Sequence, residues 1–132
     1  MKLILTAYIS TALTFLGLDA VWLSTMSARL YKPALQGLLA ENFRPVPALL
    51  FYALYIGGVV AFAVLPSDKP GMALLRGAGL GLVAYATYDL TNQATLRRWS
   101  VLVTSADLAW GSLATGIAAA IACAICSALA KP

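Results

Sequence analysis

The chain has 132 residues, of which 61% are hydrophobic and only 11% charged, and its mean hydropathy is +0.85. A soluble domain of this length needs a charged surface; this chain has too few charges to make one, so its expected solvent is lipid. The net charge of +4 is not a nucleic-acid signal, because the nine Lys and Arg residues lie near the ends of apolar runs rather than along a basic face. The absence of His removes the commonest general base and the commonest metal ligand together, and no metal, cofactor or nucleic-acid partner is expected.

There is room for about four spanning helices at roughly 20 residues each. The expected fold is therefore an all-α membrane protein. One domain over residues 1–132 would hold four transmembrane helices, with a short interfacial helix between the first two.

The first span is predicted over residues 3–25. It is long for a signal peptide, carries Asp19 and Trp22 near its end, and lacks a small-x-small cleavage site after it. Phe15, Asp19 and Trp22 share a face. Arg29 and Lys32 then mark the membrane exit. Pro33 suits a helix start, and Ala34, Leu35, Leu38 and Leu39 fall on one side of a segment ending near Glu41-Asn42, which reads as an interfacial helix.

The second span is predicted over 47–65, with Phe51, Tyr52 and Tyr55, and ends in the turn Pro66–Gly71. The third, over 72–96, opens with Gly77-x-x-x-Gly81, which permits close helix approach. Further along it, Tyr85, Tyr88, Asp89 and Asn92 stand at i, i+3, i+4 and i+7 and share one face. Arg97-Arg98-Trp99 ends the span at an interface, where the two arginines are candidates to contact an anionic headgroup. The fourth span is predicted over 100–130. Asp107, Trp110, Gly111 and Ala114 share a face, and Gly111 is expected to leave space beside Trp110. Gly116, Ala120, Ala124 and Ala128 form a small-residue stripe, a candidate seam within the bundle or between two copies in a homodimer. Cys123 and Cys126 read as small packing residues.

Four spans place Asp19, Asp89 and Asp107 in the same half of the bilayer, about 9–12 Å below one surface at a rise of 1.5 Å per residue. All three tryptophans fall in that half as well. Carboxylates at similar depth repel one another unless they share protons, a cation or Arg partners. Intramembrane acids mark pathways and binding sites by default, although bonding to Tyr, Trp or Asn across helices is the structural alternative. The candidate ligand-binding residues are accordingly Asp19, Trp22, Tyr85, Tyr88, Asp89, Asn92, Asp107 and Trp110.

Tyr88-Asp89-Leu90-Thr91-Asn92, followed by Arg97-Arg98-Trp99 and Asp107-x-x-Trp110-Gly111, together with Asp19-x-x-Trp22, resembles a bacterial family of small membrane proteins, domain of unknown function two-one-seven-seven. The resemblance covers nearly the whole chain. It implies four helices in the bacterial inner membrane and brings no established activity or catalytic residues.

Three functions fit these residues. The first is a protein binding an amphiphilic or small polar or cationic ligand in an acidic, Trp-lined site. The second is a proton- or cation-coupled transporter acting as a homodimer. The third is a membrane enzyme using paired Asp residues on a lipid. Membrane lipids are expected partners of all three. Five basic residues on one side against four on the other leave the orientation open.

Overall fold

The computed structural model describes residues 1–130, and all regular structure among them is helical. Helix α1 (Lys2–Met26) continues through a π-helical turn (Ser27–Tyr31) into α2 (Lys32–Ala34). Helix α3 (Pro45–Val59) continues into a second π-helical turn (Val60–Val64); α4 spans Pro70–Thr95 and α5 spans Val101–Leu129.

Local chemistry sets these boundaries. Pro lies at the start of both α3 and α4, where its missing N–H is harmless. Ser100 opens α5 by accepting from the Val103 N–H at 3.3 Å. At the far end of α2 the backbone unwinds through Leu35 and turns at Gly37, whose φ of +84° lies in the left-handed region that glycine occupies without a side-chain penalty.

The segment around Pro33 departs from expectation. Pro33 continues the first rod instead of opening a separate helix, and residues 35–44 are turns and extended chain. A proline inside a helix collides with the carbonyl four residues back. Here the preceding turn is π-helical, with the Lys32 N–H bonded to the Ser27 carbonyl, so the ladder is already widened where the ring enters. The first rod thus runs to Ala34, beyond the predicted end near residue 25.

The rods alternate in direction, as their contacts show. Moving up α4, Gly77 meets Thr115, Gly116 and Ala119, while Gly81 meets Gly111. On α1, Leu3 lies against Cys126 while Asp19 meets Trp110, so α1 and α5 run in opposite directions. Tyr55 meets Thr115 at 2.7 Å, and Cys123 lies against the Ser67 carbonyl, so α3 and α5 run the same way. One end of the bundle therefore holds the 35–44 connection and the 96–100 turn. The other holds Met1, the 65–69 turn and the end of α5.

Three rods are long and apolar enough to cross a membrane: Lys2–Ala34, Pro45–Val64 and Val101–Leu129. The 26 residues of α4 would reach about 39 Å, but Arg76, Asp89, Asn92 and a run of glycines dilute its apolar character. The outward side chains are apolar along the rods: Leu13, Leu54 and Phe62 are each about 70% exposed or more, a surface suited to lipid.

The core divides in two. One cluster joins Ala7, Val59, Val60, Ala63, Val64, Ala73, Ala119, Ala122, Cys123 and Cys126 at the apolar end. The other joins Phe15, Ala114 and Ala118 to Tyr52, Tyr55 and Trp110 nearer the acids. Helices α4 and α5 approach most closely. A Cβ on Gly77 would lie 2.7 Å from the Thr115 carbonyl oxygen, and one on Gly81 would strike the Gly111 carbonyl. Ser112 Oγ adds a bond across the same seam to the Ala78 carbonyl at 3.0 Å. Gly116 of the small-residue stripe is spent within this seam, against Leu74 and Ala78, while Ala124 and Ala128 are exposed.

Gly81→Ala should lower the thermal unfolding midpoint in detergent, with a cost of about 1–3 kcal/mol for forcing backbone apart. Gly17→Ala, where an added Cβ meets nothing within 4 Å, should leave the midpoint unchanged or raised. Tryptophan fluorescence on heating reads both, and equal melting of the two variants would remove the seam as the source of stability.

Candidate functional site

Four rods contribute to a cavity of about 530 Å³ near the end that holds the 35–44 connection. From α1 come Asp19, Trp22 and Leu23; from the π-helical turn, Tyr31; from α3, Phe51, Tyr52 and Tyr55; from α4, Ala84, Tyr85 and Tyr88; from α5, Asp107 and Trp110. Of the eight residues predicted for the site, six line this cavity: Asp19, Trp22, Tyr85, Tyr88, Asp107 and Trp110.

Helical spacing explains the pairing on two of the walls. Asp19 and Trp22 share a face of α1, as Asp107 and Trp110 share a face of α5. The antiparallel packing of these helices brings the two pairs together. Trp22 and Trp110 stack with ring centroids 4.5 Å apart and planes 8° from parallel. Each indole then finds an acceptor, Trp22 further along its own rod and Trp110 across the helix pair. Trp22 Nε1 donates to the Tyr31 hydroxyl at 2.8 Å, and Trp110 Nε1 donates to Asp19 Oδ1 at 3.4 Å.

The carboxylates are held by phenols. Tyr52 donates its hydroxyl proton to Asp19 Oδ2, and Tyr31 donates to Asp107 Oδ1. A continuous chain results, from Trp22 through Tyr31 to Asp107, with a parallel one joining Tyr52, Asp19 and Trp110. Both Asp19 and Asp107 are more than 90% buried, so these bonds offset a large loss of hydration.

Asp89 lies behind the wall. It is fully buried, and neither of its oxygens has a hydrogen-bond partner among the described residues. Gly81 and Tyr85 of α4 both meet Gly111 of α5, so Asp89, one turn beyond Tyr85, faces the turn of α5 that carries Asp107. Asn92, half-buried, stands outside the cavity lining, and Arg97 and Arg98 are exposed at the turn before α5.

The space expected beside Gly111 is filled. A Cβ there would strike the Tyr85 ring, so Gly111 is the seat of that ring. Tyr85 in turn meets Tyr55 edge-on, with centroids 6.3 Å apart. Phe15 supports the floor, packing on Tyr55 at 5.2 Å and Tyr52 at 6.4 Å. Tyr88, 61% exposed, lies edge-on to Trp99, whose Nε1 donates to Thr104 Oγ1 at 3.0 Å.

Sequence reasoning left four major wall residues out of the site: Tyr31, Phe51, Tyr52 and Tyr55. Tyr52-x-x-Tyr55 mirrors Tyr85-x-x-Tyr88 in spacing, an echo that already points to one shared pocket, and Phe51 stands one turn before Tyr55. Tyr31 carries no periodic signal, since it sits in a π-helical turn that breaks the 3.6-residue register set by Asp19 and Trp22.

The wall chemistry is selective. The hydroxyls of Tyr31 and Tyr52 and the indole N–H groups of Trp22 and Trp110 are committed to neighbours. What the cavity still presents is acceptor capacity on two carboxylates, the hydroxyls of Tyr85 and Tyr88, and the faces of aromatic rings. No curated protein and no solved structure matches the chain. The family model described as "Predicted membrane protein (DUF2177)" matches residues 4–124, and the chain belongs to that family of membrane proteins.

Proposed function

We propose that this protein binds an amphiphilic or small polar cation in the cavity between Asp19 and Asp107. The observation that carries this reading is the pairing of two carboxylates with a wall of aromatic rings, in which the donors nearest the carboxylates, on Tyr31, Tyr52, Trp22 and Trp110, are already used. Anionic acceptors and ring faces both attract positive charge, and the attraction grows when water is excluded. Leu23, Phe51 and Ala84 give the same cavity apolar surface for a hydrocarbon portion.

The protein acts, in this reading, as a multi-pass protein of the bacterial inner membrane. Helix α4 crosses with the other three rods: Gly77, Gly81 and Asp89 turn to α5, and the exposed Thr87 and Thr91 bond their hydroxyls to carbonyls of the preceding turn. The cavity then sits in one half of the bilayer, and the exposed Arg97 and Arg98 lie near the headgroups above it. Membrane-impermeant maleimide should label Asp68→Cys and Arg98→Cys from opposite sides of sealed vesicles. Labelling of both from one side would remove the crossing of α4. Cys123 and Cys126 are buried and should contribute little background.

Tetraphenylphosphonium serves as a probe that is cationic, aromatic and lipophilic. Wild-type protein in nanodiscs should bind it saturably. Asp19→Asn and Asp107→Asn should each weaken binding at least about tenfold, the equivalent of about 1.4 kcal/mol, with Asp107→Asn keeping the thermal midpoint close to wild type. Trp110→Ala should weaken it as well. Equal affinity in wild type and both Asn variants would overturn the site.

A further inference from the structure

We infer that Asp89 and Asp107 hold one proton between them, and that a cation entering the cavity displaces it. This rests on the cation-binding reading above. The geometry that carries it is a fully buried carboxyl, without a hydrogen-bond partner among the described residues, which the Tyr85–Gly111 contact sets one helical turn further along, facing Asp107 of the cavity lining.

Asp107 accepts a hydrogen bond from Tyr31, so one of its oxygens is occupied by a donor. Asp89 has no such donor, and both of its oxygens are enclosed. Two ionised carboxylates in contact are acceptors only, and nothing joins them. A proton on Asp89 resolves both problems at once: its O–H donates to Asp107, and the pair carries a single negative charge. Buried carboxyl pairs at this range behave as one titrating unit. The ionisable groups facing the pair are Tyr31, at its Oδ1 bond, and Asp19, whose charge acts on Asp107 from α1. Tyr85 and Tyr88 flank Asp89 on its own helix.

The exchange balances simply. A cation settles against Asp107 on the cavity side; the O–H bond of Asp89 breaks, and the proton leaves to water through the cavity. No electron transfer and no covalent bond to the cation is involved. One positive charge enters as one leaves, so the site, the carboxyl pair together with its bound cation or proton, keeps a single net negative charge. Cation and proton then compete for the same site, which is the elementary requirement for exchanging one against the other across a membrane.

Calorimetry of tetraphenylphosphonium binding in buffers of different ionisation enthalpy should give close to one proton released per probe bound at neutral pH. Affinity should rise about tenfold per pH unit while the pair is protonated. Asp89→Asn, nearly isosteric, should bind the probe with no proton release and a flat pH profile. Independently of any probe, infrared spectra of the wild-type protein should contain a protonated-carboxyl C=O band that Asp89→Asn removes and Asp19→Asn retains. Absence of that band, or its survival in Asp89→Asn, would overturn the shared proton. Probe binding without proton release would overturn the exchange while leaving the cation site standing. A band without any probe binding would overturn the cation reading while leaving the shared proton standing.

Discussion

The close approach of α4 and α5 is the constraint on which the site depends. Gly77, Gly81, Gly111 and Gly116 remove the side chains that would hold these helices apart. In lipid no hydrophobic drive separates one helix pairing from another, so contact surface and polar bonds decide which helices meet. The seam supplies both, since Ser112 bonds across it. Its consequence lies one and two turns beyond the last contact. Tyr85 is seated on Gly111, and Asp89 is brought against Asp107. A Cβ at Gly81 or Gly111 would therefore disturb the carboxyl pair without touching it.

A second constraint works from the opposite wall. Asp19 and Asp107 are charges in a poorly solvating place, and the bundle surrounds them with phenol and indole donors rather than with Arg or Lys. Such donors stabilise a carboxylate without cancelling its charge. An Arg in the same place would have made a closed ion pair, neutral and complete. The negative field is left open to the cavity, and the stacked Trp22 and Trp110 present ring surface next to it. The same residues thus hold the helices together and define what the cavity attracts.

Most of this arrangement was legible in the sequence because it follows from two periodicities. Helical spacing put Asp19 with Trp22, and Asp107 with Trp110; alternating spans put both pairs at one end. What remained hidden follows from departures from regularity. The π-helical turn before Pro33 moves Tyr31 out of the register that would have flagged it, and it also carries the first rod past the expected exit. The space read beside Gly111 was real, but a sequence cannot say which neighbour fills it, and Tyr85 does. Asn92 shares the Asp89 face by spacing, yet it stands beyond the cavity lining, because a face one helical turn wide is broader than the cavity it borders.

The contrast between Asp19 and Asp89 separates a structural role from a chemical one. Asp19 receives donors from two elements, Tyr52 on α3 and Trp110 on α5, and its removal would leave those donors without an acceptor. That is the pattern of a residue that holds a bundle together. Asp89 receives no donor among the described residues and is enclosed, so no group but Asp107 depends on it. A buried carboxyl that stabilises nothing is a cost to the fold. Its one relationship is with Asp107, the residue through which it reaches the cavity, and a proton is the one thing that turns their repulsion into a bond. Selection for stability alone would favour an apolar side chain at that position, so stability does not account for the acid at Asp89.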